Sequence, residues 1–107
     1  MNLALNAQKG IVLAQRSILY SAITSSYQLI GAVFAAPLVQ LIIVSTLNDV
    51  VQFSWDGITP AFPITAGATI ILDVKSDGII VNANDGCYVK TLGTPSSGSL
   101  YFGGFTV

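Results

Sequence analysis

Five aspartates, Asp49, Asp56, Asp73, Asp77 and Asp85, supply the acidic side chains of this sequence; there is no glutamate, no histidine and one cysteine. Without histidine, Ser–His and Cys–His activation of a nucleophile is excluded, and so is the commonest metal ligand. Zinc sites built from cysteine and histidine fall away as well. Asp73 and Asp77 flank Val74-Lys75-Ser76, and Asp85 follows in Asn84-Asp85-Gly86, a grouping that suggests a carboxylate pair or a calcium loop. Calcium, however, takes about six to eight oxygens, and an EF-hand loop closes on a glutamate. Aspartate beside glycine is ordinary turn chemistry. A glycosidase pair needs two carboxylates facing each other across a cleft, which so small a domain rarely offers. No catalytic, cofactor-binding or metal-ligating residue is assigned, and no enzymatic activity is expected.

Three other features have a chemical reading. Gly93-Thr94-Pro95-Ser96-Ser97-Gly98 is rich in glycine and hydroxyls, but it lacks the Gly-Lys-Ser/Thr ending of a phosphate loop, and no helix follows. It is expected to be a flexible surface loop. Cys87 lies between a turn and a strand with no basic neighbour to lower its pKa, so a small buried hydrophobe is expected. Trp55 with Phe53, Phe62, Tyr88, Tyr101, Phe102 and Phe105 could form a carbohydrate-binding platform. Such residues more often fill a sandwich core.

Composition narrows the class. Hydrophobic residues make up 52% of the 107 residues and charged ones only 8%, against about 25% in ordinary soluble domains. Lys9, Arg16, Lys75 and Lys90 are the only basic side chains, and the net charge is −1. Phosphate neutralisation requires a basic stripe, so a nucleic-acid partner is not expected. The apolar run from Leu29 to Val44 falls short of the roughly 20 residues a membrane helix needs. It contains Pro37 and Gln40 and has no basic flank, so one or two buried strands are expected and no membrane partner. The uncharged start, Met1-Asn2-Leu3-Ala4-Leu5-Asn6, does not read as a targeting signal. A subunit whose faces are covered by copies of itself accounts best for so little charge.

The elements that must carry these residues divide near residue 27. Residues 1–27 show neither a clean helical stripe nor clean alternation, and an N-terminal arm, extended or partly helical, is expected there. Residues 28–107 are expected to form the β-domain. Turn signals recur at intervals of roughly ten residues: Leu47-Asn48-Asp49, Asp56-Gly57, Ala66-Gly67, Ser76-Asp77-Gly78, Asn84-Asp85-Gly86 and the Gly93–Gly98 stretch. The runs between them are rich in Val, Ile, Phe, Tyr and Thr. This spacing predicts a mainly β protein, a β-sandwich or jelly-roll-like domain. Leu38–Thr46 and Val50–Trp55 are expected to form a hairpin across Asn48-Asp49. Val51, Phe53 and Trp55 should share one face, as should Ile70, Leu72 and Val74. Gly103-Gly104 in the last strand suggests a bulge or a close backbone approach, and that strand is expected to be tied into a sheet.

The stretch Ile43-Val44-Ser45-Thr46-Leu47-Asn48-Asp49-Val50-Val51-Gln52-Phe53-Ser54-Trp55-Asp56-Gly57 resembles a pattern in small tailed-bacteriophage virion proteins. There an Asn/Thr-rich turn leads into a strand reading hydrophobic-x-Phe-Ser-x-Asp-Gly. The resemblance continues through Phe62-Pro63-Ile64-Thr65-Ala66-Gly67-Ala68-Thr69-Ile70-Ile71-Leu72-Asp73, through Tyr88-Val89-Lys90, and through Thr94-Pro95-Ser96-Ser97-Gly98-Ser99-Leu100-Tyr101. It covers roughly residues 38 to 105 and rests on turn and strand residues. Ile64-Thr65 and the very apolar Leu38–Val44 depart from the pattern. The resemblance implies a virion component at the head–tail junction, the tail or the capsid surface, with itself and other virion proteins as partners. A carbohydrate-binding β-sandwich module using exposed aromatics is the alternative function.

Overall fold

The computed structural model describes residues 11–74 and 76–107. It contains eight strands: β1 (Ile11–Leu19), β2 (Gln28–Leu29), β3 (Leu38–Ser45), β4 (Val51–Ser54), β5 (Pro60–Ile64), β6 (Thr69–Asp73), β7 (Tyr88–Thr91) and β8 (Ser99–Thr106). They form two four-stranded sheets, ordered β1-β8-β3-β6 and β2-β7-β4-β5. All pairings are antiparallel. Only β4 and β5 are both consecutive and paired; every other connection passes from one sheet to the other. That wrapping is a jelly roll.

Period-two alternation builds the core. From the first sheet, Leu41, Ile43, Leu100 and Phe102 point inward; from the second, Val51, Phe53, Ile64 and Val89 meet them, all fully buried. Phe53 bridges the sheets, its ring centroid 5.8 Å from that of Phe102 and 4.8 Å from stacked Phe62. Burying each such side chain contributes about 1.5–3 kcal/mol. Ile70 and Leu72 pack against this core and Val74 is buried, while Ile71 and Asp73 are exposed, as the alternation predicts.

Two expectations need correction. β3 and β4 do not form a hairpin: β3 lies between β8 and β6, and β4 between β7 and β5. Leu47 is buried between the layers, so the connection crosses the sandwich, and Asn48 and Asp49 turn to a different segment. The Asn48 carboxamide accepts from the N–H groups of Ser96 and Ser97 and donates to Ser96 Oγ, and Asp49 accepts from Thr94 N–H at 2.8 Å. The Gly93–Gly98 loop is thus held rigidly against the crossing. The second correction concerns residues 11–27. Ile11–Leu19 is the edge strand of the first sheet, paired along β8, and a 3-10 turn at Tyr20–Ala22 leads into the sandwich. Arg16 ties β1 down, its guanidinium donating to the carbonyls of Ala14, Ile30 and Ala32 and lying 5.9 Å from the Phe34 ring centroid. Residues 1–10 of the expected arm lie outside the described residues.

Gly104 accounts for the glycine pair in β8. Its φ of 143° and its approach to the Gln40 carbonyl leave no room for a Cβ. The bulge is on the neighbouring strand: Leu13 pairs with Gly104 and Arg16 with Phe102, so Ala14 and Gln15 together face Gly103.

The Leu29–Val44 run is split between the end of β2, a connection and most of β3. Among the described residues no helix is long and apolar enough to cross a membrane.

Candidate functional site

Asp49, Asp56, Asp73 and Asp85 hold turns and loops. Asp56 follows β4, and its carboxylate accepts from Ile58 N–H and Thr59 N–H, both at 2.8 Å. Buried Ser54 shares its hydroxyl proton between the Thr59 carbonyl (2.7 Å) and this carboxylate (3.0 Å). The Thr59 and Ile58 amides, then the Ser54 hydroxyl, stabilise the charged form and lower the Asp56 pKa to about 2. The Thr94 amide, followed by that of Val50, likewise lowers the pKa of Asp49. Asp73 accepts from Ser76 Oγ and Asp85 from Asn82 N–H. Among the described residues no group of three or more such side chains that could hold a metal ion occurs.

Cys87 is fully buried just before β7, and burial pushes its thiol up to about 12, against a smaller opposing pull from Arg16. The aromatics divide. Phe53 and Phe102 are core residues. Trp55 packs edge-on against Phe53 at 4.7 Å and lies near Phe62 at 6.3 Å, so its ring is a partly exposed flank of the core cluster. Tyr101 and Phe105 are half-buried on the outer side of β8.

That outer side is where the exposed chemistry concentrates, and the pairing registers place its residues in three rows. Val44 lies between Tyr101 and Thr69, Ile42 between Gly103 and Ile71, and Gln40 between Phe105 and Asp73. Val12 on β1 extends the last row beyond Phe105. Ile71 is 63% exposed and Val12 72%. Gly103, bare of a side chain, floors a groove of about 360 Å³ lined by Gln15, Ile42, Val44, Tyr101 and Phe102. Asp73, at one corner, is the only charged side chain directed outward from this sheet among the described residues. Contiguous exposed apolar surface is uncommon on folded domains, whereas isolated exposed apolar residues need no explanation.

The sequence leads to the expectation of apolar surface covered by neighbouring subunits but does not locate this face. The signal was present in Leu38–Ser45: Ile42 and Val44 fall on the face opposite Leu41 and Ile43, so β3 is apolar on both sides. No protein-family model, curated protein or solved structure matches the chain.

Proposed function

We propose that this protein is a non-enzymatic structural subunit of a bacteriophage virion. It assembles with copies of itself, and with other virion proteins, at the head–tail junction, the tail or the capsid surface. The observation that carries this reading is the outer face of the β1-β8-β3-β6 sheet, charged among the described residues only at its Asp73 corner, with Val12, Ile42, Val44, Ile71, Tyr101 and Phe105 on one side of a jelly roll. Such a face favours covering by protein. The jelly roll is a fold of capsid domains, and the likeness of residues 38 to 105 to tailed-phage virion proteins points the same way. Asp49, Asp56, Asp73 and Asp85, each held in turn or loop hydrogen bonds, favour a scaffold over a reaction centre.

Jelly rolls also occur in lectins, so carbohydrate binding is the reading to test against. The experiment follows Trp55 emission during titration with oligosaccharides, alongside electron microscopy of the purified chain. Closed particles or rings, with emission unchanged by sugar, are expected. A saturable emission shift from a dispersed chain would overturn the proposal in favour of the lectin reading.

A further inference from the structure

We infer that the outer edge of β1 is a pairing edge for the β1 strand of a second copy of this chain. The two strands run antiparallel across a two-fold axis, joining the β1-β8-β3-β6 sheets into one eight-stranded sheet. This rests on the structural-subunit reading and names the contact that reading requires.

The inference comes from comparing the four sheet edges. A bare edge displays unpaired N–H and C=O groups, and proteins protect such edges by shortness, proline, charge or cover. β5 carries Pro60 and Pro63, and β2 is two residues long. β6 has five residues and ends in Asp73. β1 has nine residues and no proline, and its outer side has no strand partner among the described residues. Its one charge, Arg16, is turned onto the protein's own carbonyls and Phe34. Its exposed large side chains are Ile11, Val12 and Leu19, at 65%, 72% and 53%. Among the described residues three edges are protected, and the longest is not.

The chemistry of the edge selects the occupant. Along an antiparallel strand, residues alternate between hydrogen bonding to one neighbour and to the other side. A row of alternating neutral donors and acceptors is satisfied best by the backbone of another strand. A strand that meets its own copy must display no charge, because like charges directly opposite destabilise the pair, and β1 meets that condition. The bulge at Ala14–Gln15 lies mid-strand and leaves regular segments at Ile11–Leu13 and Arg16–Leu19. Two-fold symmetry sets each segment opposite the other kind in the second copy, with the bulges near the axis. The joined sheet then ends on two β6 edges, which are short and end in aspartate, so pairing closes at two copies and does not run on into fibres. The apolar outer faces of both copies also become one surface.

The test uses Ala14→Lys with Ser17→Lys. Both residues are exposed, and near-ultraviolet circular dichroism verifies that the fold is kept. Mass in solution and amide hydrogen exchange across Ile11–Leu19 are read over a dilution series. In the natural chain, the β1 amides turned away from β8 are expected to be protected when concentrated and to lose protection on dilution. The double variant is expected to raise the dissociation constant of the two-copy unit by at least about tenfold. Assembly unchanged in the variant, or protection that persists in the dilute single chain, would overturn the inference and leave the subunit reading standing. A natural chain that stays single at every concentration would overturn both.

Discussion

At Asp56, three hydrogen-bond donors converge on one carboxylate, and this gives the turn a measurable acid dependence. Its folded pKa of about 2 lies below the ordinary 3.8. The stability it contributes is therefore fully present above about pH 4 and is lost as pH falls toward 2. Asp49, shifted in the same direction, adds to that limb. Melting temperatures across this range should fall for the natural chain and fall less steeply for Asp56→Asn; parallel curves would remove Asp56 from the acid limb. Cys87 provides a second residue-scale test. With its thiol buried and its pKa pushed up to about 12, it should resist alkylation in the native fold near neutral pH and react once denaturant unfolds the chain. Both roles are legible in the sequence, because Asp-Gly reads as a turn and a lone cysteine without basic neighbours reads as core. What the sequence does not show is that Asn48 and Asp49 reach the Gly93–Gly98 loop, since that contact joins residues far apart in the chain.

Among the elements, Gly104 shows how closely β8 and β3 approach. A side chain there must adopt a φ of 143° and collide with the Gln40 carbonyl. Gly104→Ala is expected to cost more than about 1 kcal/mol, measured by denaturant unfolding, whereas Gly103→Ala, whose Cβ meets nothing within 4 Å, should cost far less. Strands with one buried face are legible: β6 alternates, and Ile70, Leu72 and Val74 point inward as the pattern selects. β1 escapes notice for a physical reason. It is an edge strand exposed along most of its length, and the extra residue at Ala14–Gln15 inverts the parity midway, so no single alternation runs through it. The supposed β3–β4 hairpin fails for another reason. Asn48-Asp49 marks where the chain turns, but turn chemistry does not specify which sheet receives the next strand.

For the whole molecule, scarcity of charge is the property that ties sequence to fold. Of the nine charged side chains, Arg16 faces inward, Asp49 and Asp56 cap loops, and Lys90 lies 4.7 Å from the Tyr27 ring centroid. None of these is spread over the β1-β8-β3-β6 face, which among the described residues carries only Asp73 at one corner and runs on to the β1 edge. Composition therefore leads to the expectation of a covered surface, and only the sheet order locates the apolar face proposed for it. Sedimentation equilibrium over a range of concentrations tests the central claim most directly. The account expects a defined oligomer built from an even number of chains, dissociating on dilution if at all. A monodisperse single chain at every concentration, soluble and fully folded, would contradict it.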